Sequence, residues 1–174
     1  TGRQVAAEGG KLAGLIQSRD VYVANQLTLL DQLASAIIFE VNRVHSSGQG
    51  LVGLESVTGT YDVLDADVPL NTADNGLAFL PSNGSFIITV IDSDGTQTQT
   101  LIPVDLDGLG GDDTTLNSLA ATINSRLAAN GVSGVTASVT ADNRLRIEAS
   151  GGQRFIFSED SSDVLAALGI NTFF

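Results

Sequence analysis

Residues 11–44 read KLAGLIQSRDVYVANQLTLLDQLASAIIFEVNRV, and apolar side chains recur in them every seven positions. A heptad repeat of this kind predicts a helix with an apolar stripe that packs in a coiled coil or a helical bundle. No proline interrupts the stretch. At 1.5 Å per residue the helix would be roughly 50 Å long, well beyond the usual three turns of a globular domain. We therefore expect a helical arm.

The apolar positions form two columns, in which Asp20 is the interruption. The predicted packing seam of the arm consists of Ile16, Val23, Leu27, Leu30, Ala34, Ile37, Val41 and Val44. A second apolar set widens this face over the first half of the helix and consists of Leu12, Leu15, Tyr22, Leu29 and Leu33. So wide a face needs more than one partner helix, and the later helical patterns of the chain are short. We therefore expect the chain to be the central part of a longer protein.

The rest of the sequence predicts an α+β fold, in which the long N-terminal helix is followed by a small, mostly antiparallel β module. Residues 1–47 would be the helix, 48–78 a connecting segment with one or two strands, and 79–174 an outer module. The module would contain one well-formed helix, which starts near Thr115 and ends at Asn130-Gly131, and one short helix before Gly169. Its predicted strands are residues 86–91, 96–104, 135–140, 144–149 and 154–158.

Charge is distributed unevenly along the chain. Residues 1–47 contain four basic and four acidic side chains, whereas residues 48–174 contain four arginines and sixteen acids, so the net charge of −12 belongs to the second part. An acidic surface repels phosphate groups, and the basic stripe that nucleic-acid binding needs is missing. We therefore expect neither nucleic acid nor a membrane as partner. The acidity keeps an exposed module soluble.

Several side chains suggest chemistry, but their spacing favours structural roles. His45 is the single histidine, and Ser46 and Ser47 beside it cannot form a triad, because sequence neighbours at a helix end rarely set a nucleophile against a base. Asp105, Asp107, Asp112 and Asp113 lie among glycines, as in a calcium loop, but they lack the ligand spacing of an EF-hand. The chain contains no cysteine, which excludes disulfide and thiolate sites. The sequence therefore predicts no enzyme, no metal and no cofactor.

Two blocks of sequence resemble a known family. The first comprises Gly9-Gly10-Lys11-Leu12, the Arg19-Asp20 pair, residues 30–34, Val41-Asn42, His45 and Gly48; the second is residues 157–174, which end in LGINTFF. Both are similar to segments of the first flagellar hook-associated protein family, the hook–filament junction proteins of bacteria. The Ile123-Asn124 pair, followed by Val135-Thr136-Ala137, is also similar to a small repeat inserted in flagellins and hook-associated proteins. Ala24 stands where many members have proline, so we expect a straighter helix here.

The resemblance implies a structural subunit that joins the hook to the filament by packing against neighbouring subunits. Its partners would be the hook protein, junction proteins, flagellin and copies of itself, and the isolated chain would self-associate through the long helix. The family polymerises through terminal helices, which we expect to lie outside this chain. Its members are exported through the flagellar channel without a cleaved signal and act outside the cell. An alternative is an adhesin or a carbohydrate- or calcium-binding module displayed on a helical stalk.

Overall fold

The computed structural model describes residues 9–48 and 52–172, and it confirms the α+β fold. The chain divides into two compact units, of which the first ends at Ile38 and the second begins at Phe39. The division falls inside the long helix. The sequence-based domain limits at residues 47 and 78 stay predictions. In the described part of the chain, no helix combines the length and apolar character that crossing a bilayer requires.

The helical segment extends from Gly10 to Ser47 in three pieces. Helix α1 is Gly10–Gln17, a π-helical segment follows at Ser18–Val23, and helix α2 is Ala24–Ser47. In a π-helix the main-chain hydrogen bonds skip one residue more than in an α-helix. This interruption lies directly before Ala24, where we expected a straighter helix. Proline is one common cause of helix bending, and a π-helical turn is another.

The second unit contains two antiparallel three-stranded sheets. One has the strand order β1-β5-β4, and its strands are Ser56–Thr58, Leu145–Ala149 and Val135–Val139. The other has the order β3-β2-β6, and its strands are Gln97–Val104, Gly84–Ile91 and Arg154–Ser158. Helix α3, Leu116–Ala129, packs on β4 and β3, and the short helix α4 is Val164–Ala167. The predicted β-β-α-β-β order of the module is therefore confirmed.

One apolar core fills this unit. It includes one face of each sheet and the apolar stripe of α3, where Leu116, Leu119, Ile123 and Leu127 are at most 1% exposed. Phe155 and Phe157 make an edge-to-face contact with ring centroids 5.5 Å apart. Large side chains that are fully removed from water contribute about 1.5–3 kcal/mol each. This core fixes the positions of the loops and of the surface elements.

Local sequence explains where α3 begins. The Thr115 hydroxyl accepts a hydrogen bond from Ser118 N at 3.1 Å, and Thr115 N donates to Ser118 Oγ at 2.9 Å. This reciprocal pair satisfies two main-chain N–H groups at the helix start, which is the arrangement called a capping box. The sequence predicts that this helix starts near Thr115. The position of the helix start is therefore confirmed.

The segment after the long helix does more than connect. Residues Val63 and Leu70 are buried in the core, and β1 pairs with β5. Thr60 N and Tyr61 N donate to the carbonyl groups of Gly169 and Leu168, both at 3.3 Å. Gly169 has φ +68°, and a Cβ there would lie 2.7 Å from the Cβ of Thr60. Any other residue would be strained at this φ value and would collide with Thr60. Glycine therefore allows the segment to close over the end of α4.

Candidate assembly surface on the long helix

Exposed apolar side chains concentrate on the helical segment. Of the twenty large hydrophobic residues that are exposed in the described part of the chain, fourteen lie between Leu12 and Val44. Leu27, Leu30 and Ile37 are 57%, 59% and 55% exposed. Scattered apolar residues on a protein surface are normal, but a contiguous row of this length is typical of an interaction surface.

The predicted seam residues of α2 lie on one face of that helix. They are separated by three or four residues, so at 3.6 residues per turn they fall within an arc of roughly 100°. The residues of this row are Leu27, Leu30, Ala34, Ile37, Val41 and Val44. All six are exposed. Their role in packing stays a prediction.

The π-helical segment changes which residues continue the row toward the N-terminus. It inserts one residue into the turn, and one residue corresponds to about 100° of rotation. Leu15, eight residues before Val23, then continues the row in place of Ile16, and Leu12 takes the corresponding place in the second column. Leu12 and Leu15 are 64% and 67% exposed, whereas Ile16 is 38% exposed. The heptad count across this segment could not reveal the inserted residue.

The π-helical segment also contains the Arg19-Asp20 pair. The Arg19 guanidinium donates two hydrogen bonds to the carboxylate of Asp20. This contact lowers the pKa of the Asp20 carboxyl and raises that of Arg19. Both side chains are exposed, and an exposed ion pair of this kind adds little stability. The pair interrupts the apolar row at the place where Asp20 breaks the heptad column.

The end of α2 belongs to the second unit and is held there by polar contacts. Asn42 and Ser46 are 1% and 0% exposed. Ser47 O accepts a hydrogen bond from Glu159 N at 3.0 Å, which satisfies one of the carbonyl groups left free at a helix end. The Nδ1 atom of His45 lies 2.9 Å from Asn171 O. The heptad pattern does not reveal that Asn42 and Ser46 are buried, because it does not distinguish buried polar residues from exposed ones.

Aromatic packing completes the attachment of the helix end. The rings of Phe39 and Phe79 are stacked with their centroids 4.2 Å apart. Phe39 also packs against the apolar core. Glu159 and Asn171, which contact the helix end, have φ values of +54° and +53°. Residues other than glycine rarely adopt this conformation, so the attachment constrains the backbone on the module side.

Four charged groups lie near this attachment. Asp160 is 6% exposed, and its carboxylate accepts hydrogen bonds from Ser162 N, Ser162 Oγ and Leu165 N at 3.0, 2.8 and 2.9 Å. Burial raises its pKa despite these bonds. Burial also raises the pKa of Asp163, which Arg43 lowers and Glu40 raises. Arg43 itself donates to Glu40 at 2.7 Å.

The side chains that suggested chemistry serve local structure. The Ser46 and Ser47 hydroxyls donate to Arg43 O and Val44 O at 3.1 and 2.8 Å, so they are bonded within the helix. Carboxylate oxygens of Asp105, Asp107 and Asp113 lie within 4.8 Å of one another. Two of these carboxylates accept main-chain hydrogen bonds inside the loop, from Leu109 N to Asp107 at 2.8 Å and from Gly108 N to Asp113 at 3.0 Å. The loop brings the three acids together, and Asp112 is outside this group.

Comparison with protein families identifies the helical end of the chain. Residues 1–60 match the flagellar hook-associated protein FlgK helical domain. The match covers the long helix and ends just after β1, so it supports a FlgK-like relationship and a flagellar structural role for this part of the chain. It also associates the chain with other flagellar components and with the flagellum as its location. No curated protein matches the sequence. The resemblance of residues 157–174 stays a sequence-based prediction.

Proposed function

We propose that this chain is part of a hook–filament junction subunit, which acts by packing against other subunits and not by catalysis. The observation that carries the proposal is the exposed apolar row on a helix whose residues match the FlgK helical domain. A row of leucine and isoleucine side chains at more than half exposure is costly in water, and burial against helices removes that cost. The helix is the part that enters the assembly.

The acidic module has the complementary role of an outer domain. The net charge of −12, which residues 48–174 carry, favours a solvated surface that does not adhere to neighbours. Polar contacts of Ser46 and Ser47 and the aromatic stack of Phe39 hold the end of the arm on this module. Export through the flagellar channel without a cleaved signal, and action outside the cell, belong to the same proposal.

The packing surface can be tested by paired substitutions on opposite faces of α2. Leu30→Glu with Ile37→Glu places two charges in the apolar row. Asn25→Glu with Gln32→Glu places the same two charges, also seven residues apart, roughly on the opposite face. We expect the purified wild-type chain and the control pair to self-associate in light-scattering measurements. The Leu30/Ile37 pair should be monomeric, because a buried unpaired charge is strongly unfavourable.

The role in the flagellum requires a test in cells. The same two pairs are introduced into the gene of the source bacterium, and attached filaments are counted by electron microscopy while flagellin in the medium is quantified. We expect the Leu30/Ile37 pair to lose attached filaments and to release flagellin, and the control pair to assemble normally. Normal filaments with a correctly folded Leu30/Ile37 variant would contradict the proposal.

A further inference from the structure

The β4 strand lies at one edge of its sheet, beside helix α3. Its residues, Val135-Thr136-Ala137-Ser138-Val139, include no charge and no proline. Exposed strand edges pair readily with other strands, and natural proteins block them with lysine, proline, bulges or covering elements. None of the 20 acidic residues of the chain lies in β4, so charge does not block pairing at this edge. Another feature must protect the strand.

Asn124 of α3 provides that protection. Its Nδ2 donates to Ala137 O at 2.8 Å, and its Oδ1 accepts from Ala137 N at 2.7 Å. A carboxamide offers one donor and one acceptor side by side, as a residue of a neighbouring strand does. Thr140 N donates to Arg144 O, and Ser150 N donates to Gly134 O. The main-chain N–H and C=O groups of even-numbered residues in and beside β4 therefore point toward β5. The main-chain groups of Ala137 therefore point away from the sheet, and Asn124 occupies them.

We propose that Asn124 is an edge guard that prevents β4 from pairing with β4 of a second copy of this chain. The strand is self-complementary, because an antiparallel pair centred on Ala137 would place Val135 opposite Val139 of the other copy. Such pairing is symmetric and meets no charge repulsion within the strand. The Asn124 carboxamide takes the central hydrogen bonds of that pairing.

A groove lies beside the first residues of the β4 edge. A groove of about 320 Å³ runs beside Asn124 and is lined in part by Ala128, Val132, Val135 and Thr136. The Thr136 and Ser138 side chains are exposed on the outer face of the strand. A second asparagine of the same region, Asn130, donates to Thr100 Oγ1 at 2.9 Å on β3, an edge strand of the other sheet. Asn124 and Asn130 thus connect one helix to an edge of each sheet.

The test uses Asn124→Ala in the full chain that also carries Leu30→Glu and Ile37→Glu, so that association through the long helix is absent. Ser125→Ala is the control, because its hydroxyl bonds only to Thr122 O of its own helix at 3.0 Å among the contacts of this region. In dilute solution we expect the Ala137 amide to exchange with solvent at least about tenfold faster in Asn124→Ala than in the control. At higher concentration the mass of Asn124→Ala should rise toward that of a dimer.

Two further variants make the test specific to β4. Adding Thr136→Lys and Ser138→Lys to Asn124→Ala places like charges across the symmetric pair, and we expect a monomer. Asn124→Asp keeps the acceptor for Ala137 N, so the Ala137 amide should remain slow to exchange even if Asn124→Ala folds poorly. The proposal is overturned if Asn124→Ala stays monomeric with unchanged Ala137 exchange, if the two lysines fail to restore the monomer, or if Asn124→Asp exchanges as fast as Asn124→Ala.

Discussion

Asp160 shows how one buried carboxylate organises the contact between the module and the end of α2. Its two oxygens accept three hydrogen bonds, and they hold residues 160–165 in the shape that begins α4. The preceding residue, Glu159, donates its main-chain N–H to Ser47 O. A buried charge with three donors is tolerated, but burial still outweighs the hydrogen bonds and raises the pKa.

This raised pKa predicts the pH dependence of stability. A carboxyl whose pKa is higher in the folded state contributes stability below its unfolded pKa of about 4, and the contribution is lost as pH rises through the folded pKa. The wild type should therefore lose unfolding free energy relative to Asp160→Asn as the pH rises above about 4. Urea unfolding across this range measures the difference.

The exposed Asp142 provides the opposite control. A hydrogen bond from the Thr140 hydroxyl lowers its pKa, so its contribution is lost as pH falls through the folded pKa. Relative to Asp142→Asn, the wild type should lose stability only on acidification. Parallel pH profiles for the wild type and Asp160→Asn would contradict the assignment. The charged groups near Asp160 remain unchanged in both variants. Asp163 acts on Asp160, and Glu40 and Arg43 act on Asp163.

At the scale of elements, the loop between β3 and α3 decides between a structural module and a displayed calcium-binding module. Asp107 and Asp113 already bond to main-chain N–H groups of their own loop. We expect calcium to raise the melting temperature no more than magnesium at equal ionic strength, since both screen the charge of −12. A ligand at a hundredfold excess over its Kd would add about 2.7 kcal/mol, which is readily measured. A calcium-specific rise that Asp105→Ala and Asp107→Ala abolish would contradict this expectation.

The module elements were predictable because local and tertiary requirements agree in them. Alternation predicted a strand at residues 144–149, where β5 lies, and Thr115 and Asn130 marked the limits of α3. In the Ile123-Asn124 pair, the sequence marked the motif but not its reason, since Asn124 bonds to a strand thirteen residues later. A hydrogen bond between distant residues leaves no periodic signal.

Three features of the structure escaped prediction for physical reasons. The π-helical segment at Ser18–Val23 adds a residue without any composition that marks it. Asn42 and Ser46 are buried, and the Ser46 carbonyl accepts a hydrogen bond from Asn171, 125 positions away. Val63 and Leu70 lie in a segment rich in glycine and turns, where apolar residues lack a repeat. The burial of these polar and apolar residues depends on tertiary contacts and not on local pattern.

For the molecule as a whole, the boundary between the units lies within a helix and not in a linker. The second unit includes Phe39 and the last turns of α2, while the exposed row extends to both sides of this boundary. The heptad pattern gives no sign of this boundary, because its apolar positions continue across it.

Two shortened chains test whether the end of α2 is an integral part of the module. One begins at Ile38 and keeps the whole second unit, and the other begins at Gln49 and lacks residues 39–48. The shorter chain loses the Phe39–Phe79 stack, the buried Asn42 and Ser46, and the acceptor of Glu159 N. Losing a stacked aromatic pair and a buried hydrogen bond costs about 3 kcal/mol, or roughly 10 °C in melting temperature. Calorimetry of the two chains measures this difference, and equal melting temperatures would mean that the helix end merely rests on a module that is complete without it.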